Sequence, residues 1–139
     1  MNVRADRAAT DRAATDLLIE AGAVLASSLD LATTMRQVAG LTVPSLADIC
    51  VIDLRGEDGT ISEVAVVSGE ARLAEQLEAM RRTHPLDPAG AHPVARVIRT
   101  GEPVLLPEMS NQQLDSFAAA DEHARFMIES AYRSAIVAP

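Results

Sequence analysis

Residues 47–67, ADICVIDLRGEDGTISEVAVV, decide the architecture of this chain. The run Ala47-Asp48-Ile49-Cys50-Val51-Ile52-Asp53-Leu54 is β-branched and apolar on both faces at its centre, the composition of a strand covered on two sides. Gly56-Glu57-Asp58-Gly59 supplies turn chemistry, and Ile61–Val67 returns, so the stretch reads as a β-hairpin.

On either side of the hairpin the period changes to that of a helix. Upstream, the five-residue repeat Asp6–Thr10 and Asp11–Thr15 is alanine-rich, with Arg7/Asp11 and Arg12/Asp16 at i,i+4 spacing. It leads into the stripe Leu17, Leu18, Ala21, Val24, Leu25, with Gly22 weakening but not ending the helix. Asp30 is placed to cap a second helix with Leu31, Met35 and Val38 on one face, which Pro44 stops. Downstream, residues 70–82 carry Leu73, Leu77 and Met80 on one face and set Glu78 to meet Arg82. The proline-rich stretch His84–Pro93 is a loop, and Pro93 opens a short helix that Gly101 terminates. Val104–Leu106 is a short strand between prolines, two short helices follow near Asn111–Ala118 and Asp121–Tyr132, and Ser134–Ala138 is a last strand. Hairpin-linked strands with helices grouped between them predict an α+β fold around an antiparallel sheet.

Composition narrows the function. The 139 residues are the size of one domain and 48% apolar, enough for a hydrophobic core. No apolar run approaches the roughly 20 residues that span a bilayer, and the polar amino terminus lacks the centre of a signal peptide, which predicts a cytoplasmic protein away from membranes. A net charge of -8 repels phosphate backbones, arguing against nucleic acid. All 12 basic residues are arginine, so a lysine-dependent phosphate site or Schiff base is excluded, and the single cysteine rules out an internal disulfide.

Three blocks carry a family resemblance. Residues 17–59, LLIEAGAVLASSLDLATTMRQVAGLTVPSLADICVIDLRGEDG, resemble the opening of a GAF domain, most of all those of actinobacterial signalling proteins with a serine phosphatase or histidine kinase output domain. HPVARVIRTGEPVLLPEM, residues 92–109, and RSAIVAP, residues 133–139, resemble later blocks of the same domain. The resemblance implies a helical extension over 1–15 and a GAF domain over 16–139. It further implies a central antiparallel sheet with helices on one face, cut short before two further strands and a closing helix. Its functional implication is a non-catalytic sensory or dimerisation module that regulates an attached or partner phosphatase or kinase. Pairing of two chains through the amino-terminal helix and binding of a small molecule belong to that expectation. The alternative is a haem- or other cofactor-binding redox or gas sensor.

The residues themselves discriminate among these chemistries only in part. Cys50 sits among Ile49, Val51 and Ile52 and reads as a small buried hydrophobe rather than a redox or tetrapyrrole site. His84 and His92 fall in the proline-rich loop and His123 beside Asp121 and Glu122 in an expected surface turn, so solvated or capping roles are expected, with His92 the first choice for a haem. Asp48, Asp53, Glu57 and Asp58 flank the first strand without a nucleophile to serve, so no catalytic constellation is read. The lysine-containing signature of cyclic-nucleotide GAF domains cannot be complete here. A small-molecule pocket is expected to be small and mostly aliphatic, lined by Val104, Leu106, Phe117, Phe126, Ala135 and Val137, with Arg96 as the cation for an anionic group. The loop 84–93 and the helices over 111–131 are expected to border it.

Overall fold

Six helices and four strands follow one another in a computed structural model that describes residues 3–27, 30–118 and 120–139, with the side chains of 3–9 and 25–27 left aside. The order is α1 (Val3–Ser27), α2 (Leu31–Thr42), β1 (Ile49–Arg55), β2 (Ile61–Ser68), α3 (Ala71–Thr83), α4 (Pro93–Thr100), β3 (Val104–Leu106), α5 (Asn111–Phe117), α6 (Asp121–Glu129) and β4 (Ala135–Val137). The fold is therefore α+β. Its strands form two antiparallel ribbons, β1–β2 and β3–β4, rather than a single central sheet. Among the described residues no helix is long and apolar enough to cross a membrane.

The chain divides into two compact units, Met1–Ile52 with Val64–Ala71, and Asp53–Glu63 with Arg72–Pro139. In the first unit, α1 and α2 pack along each other. Leu17, Ala21 and Val24 are half-buried at steps of four and three, one face of α1. Leu18 and Ile19 stand 72% and 66% exposed. The expectations for Leu25 and Arg7 lie outside the described side chains. Asp30 caps α2 as its sequence position requires, its carboxylate accepting from the Thr33 amide. On α2, Thr34 and Ala39 are buried, Met35 and Val38 half-buried and Leu31 exposed.

 

In the second unit, the hairpin tip is closed by Gly59 at φ 84, a left-handed position open to glycine, and by the Gly56 amide donating to the Thr60 carbonyl at 2.8 Å. Pro93 stands at the start of α4, where a missing amide hydrogen costs nothing. Gly101, at φ 70, ends α4 and donates its amide to the Val97 carbonyl at 2.8 Å. Ser110 and Gln113 form a reciprocal capping box at the start of α5. The ribbon β3–β4 pairs Val104 with Val137, Leu105 with Ile136 and Leu106 with Ala135. Strand alternation turns Val104, Leu106, Ala135 and Val137 inward and leaves Leu105 and Ile136 66% and 79% exposed. Two hydrophobic clusters hold the unit. One joins Ile61, Leu86 and Ala95 with Val94 and Ile98; the other joins Met109, Leu114 and Met127.

Candidate ligand site

The residues expected to line an aliphatic pocket fall in two places. Leu106, Phe117, Phe126 and Ala135 pack on the Met109–Leu114–Met127 cluster as parts of a filled core. Val104 and Val137 face each other across the β3–β4 ribbon, and Arg96 stands exposed on α4. None of the seven lines the cleft described next.

That cleft lies where the end of α3 meets the hairpin tip. It has a volume of about 310 Å³ and is lined by Ile61, Ser62, Glu63, Glu78, Arg81, Arg82 and Pro85. Its charged residues come from two patterns. On α3, Arg81 continues the row Leu73, Leu77 at steps of four, so the amphipathic face that buries Leu77 and half-buries Leu73 also carries a guanidinium inward. On the strands, Asp53 interrupts an otherwise apolar run, and Glu63 shares a face with the buried Ile61 and Ala65.

Arg81 and Asp53 form an ion pair whose side chains are 9% and 7% exposed. Burial pushes the Asp53 carboxyl above its ordinary range, and the Arg81 charge and hydrogen bond pull in the other direction. Glu63 is raised by burial first, with the Arg81 charge opposing and the Asp53 and Glu78 charges adding to the rise. Its Oε2 atom is buried and has no hydrogen-bond partner. Contrary to the i,i+4 expectation, Glu78 and Arg82 form no ion pair, although both line the cleft, Glu78 half-buried and Arg82 exposed.

The histidines depart from expectation as well. His123 is 2% exposed within α6 rather than lying in a surface turn, since the apolar face of α6 also carries Ala124 and Met127 inward. Its ring stacks on His92 at a centroid distance of 6.0 Å and an interplanar angle of 18°. His92 caps α4, its Nδ1 accepting from the Val94 amide at 3.2 Å, which assigns the proton of the neutral ring to Nε2. Burial, followed by the charge of Arg81, lowers His92 to about 3 and moves His123 in the same direction. Burial pushes the Tyr132 hydroxyl up to about 12.

Two further arrangements bear on chemistry. The Thr83 hydroxyl lies 3.0 Å from His84 Nδ1, but it also lies 3.0 Å from the Met80 carbonyl, to which it can only donate. His84 then donates to the hydroxyl, the reverse of what activation of a nucleophile requires. Among the described residues no group of three His, Cys, Asp or Glu side chains is placed to hold a metal ion, and Cys50 is half-buried in β1. The cleft thus offers polar recognition, with one unsatisfied carboxylate oxygen. Sequence reasoning missed Arg81 and Glu63 as site residues; the signal was a charge on the apolar row of a helix and a carboxylate on the inward face of a strand. Comparison with family models, with curated proteins and with solved structures finds no match to this chain.

Proposed function

We propose that the chain is a non-catalytic sensory and dimerisation module of the GAF kind, regulating an attached or partner serine phosphatase or histidine kinase. The three sequence blocks that resemble GAF domains support the family, and the α+β architecture is compatible with it. The observation that carries the reading is on α1. Twenty-five residues give a helix roughly 37 Å long, and two large aliphatic side chains, Leu18 and Ile19, project from it into solvent. A second copy covering that face would bury them, and a paired helix of this length is a means of passing a change in one module to the next.

Sedimentation equilibrium tests the pairing. The chain is expected to be a dimer, and the double variant Leu18→Glu, Ile19→Glu a monomer with unchanged circular dichroism. A chain that is monomeric at every concentration reached overturns the dimerisation module.

A further inference from the structure

We propose that the cleft between the hairpin tip and the end of α3 binds a small zwitterion, a free amino acid with an aliphatic side chain. Its ammonium would sit on Glu63 and Glu78 and its carboxylate on Arg82. The inference gives the sensory reading a ligand class and rests on that reading only for its biological purpose.

Three observations converge. The Oε2 atom of Glu63 is buried without a partner in a residue that lines the cleft. A buried acceptor left unpaired costs about 1–3 kcal/mol, more when charged, and an arriving donor recovers it. A cationic donor recovers most, because charge-assisted hydrogen bonds are the stronger ones. The balance of charge selects the same sign. Asp53 neutralises Arg81, which leaves Glu63 and Glu78 against Arg82 alone. An ammonium is therefore attracted and a simple anion repelled, while Arg82, in no ion pair, remains open to a carboxylate. Size and lining complete the argument. About 310 Å³ lies at the small end of ligand pockets, and Ile61 and Pro85 give the cleft an apolar wall against which an aliphatic side chain can lie.

Isothermal titration of the full chain at neutral pH tests this with three probes: L-leucine, 3-methylbutylamine, which lacks the carboxylate, and 4-methylpentanoate, which lacks the ammonium. Leucine is expected to bind best, the amine more weakly and the acid not at all. Glu63→Gln should weaken leucine by ~10-fold or more, the loss of one charge-assisted contact. Arg82→Ala, a change at an exposed side chain, should erase the advantage of leucine over the amine. The proposal is overturned if neither leucine nor the amine binds, if the acid binds as well as leucine, or if Glu63→Gln binds leucine like the parent. Because titration reads binding whatever the oligomeric state, a monomeric chain that binds leucine would refute the dimer and leave the site standing.

Discussion

The α1–α2 pair and the segment from Met109 to Val137 are both helical in large part, yet they bury very different side chains. Among its described residues the helix pair fully buries only Thr34 and Ala39. The later segment closes over Met109, Leu114 and Met127, with Phe117, Phe126 and Tyr132 packed around them. Burial of a leucine or methionine contributes about 1.5–3 kcal/mol, and an alanine much less. Helix length is therefore no guide to stabilisation, since the longer helices bury the smaller side chains. The helix pair carries three of its large aliphatic residues, Leu18, Ile19 and Leu31, on the outside, where only a further partner can use them.

The strongest way to break this contrast is to empty the better-packed segment. Leu114→Ala, at a side chain 2% exposed, should destabilise the chain by about 2–5 kcal/mol in urea unfolding. A loss below about 1 kcal/mol would mean that the cluster can collapse on the gap, and that it is no better packed than the helix pair.

Acid acts more gently, through His123 of that segment and through His92, on which its ring stacks. His92 falls from 6.5 to about 3 in the fold and His123 also falls, so between these limits the unfolded chain binds the extra protons. Stability should hold above pH 6.5 and decline as pH drops below it, by at most about 1.4 kcal/mol per pH unit for each histidine. Asp53 and Glu63, raised by burial, act with the opposite sign and nearer the carboxylate range, so they blunt the decline at its acid end. Urea midpoints measured across the range for the parent and for His123→Gln read the effect, and the variant should show the shallower slope.

The smallest effect is expected in the helix pair. Gly22 lies inside α1, and a methyl group added there meets nothing within 4 Å. Gly22→Ala should raise helicity in circular dichroism and stabilise α1 by about 0.5–1 kcal/mol. If the global urea midpoint moves as far as that figure implies, α1 unfolds with the rest of the chain; an unmoved midpoint with raised helicity marks it as a separate cooperative element.

The elements were legible because their signals are local. The change from β-branched runs joined by a glycine turn in 49–67 to helical period in 71–83, Asp30 before α2, Pro93 at the start of α4 and Gly101 at its end each act within a few residues. What escaped depends on pairs distant in sequence. Arg81 meets Asp53 only once α3 has packed on the hairpin tip, and nothing local tells that a buried row ends in a guanidinium with a waiting carboxylate. His123 shows the same difficulty, since its acidic neighbours Asp121 and Glu122 suggest solvent while the helix turns its ring onto His92. The capping box of Ser110 and Gln113 was readable and was overlooked.

The ribbon β3–β4 also carries a consequence for the order of folding. Val104 and Val137 are partners, yet closing the roughly thirty residues between them costs on the order of 3 kcal/mol of chain entropy. Strands of three residues each return little against that cost. The closure becomes favourable once α5 and α6 have condensed on Leu114 and shortened the path between the strand ends. The ribbon is then the last part of the segment to form and the first to open, so its amides should exchange with solvent sooner than those of the helices it follows.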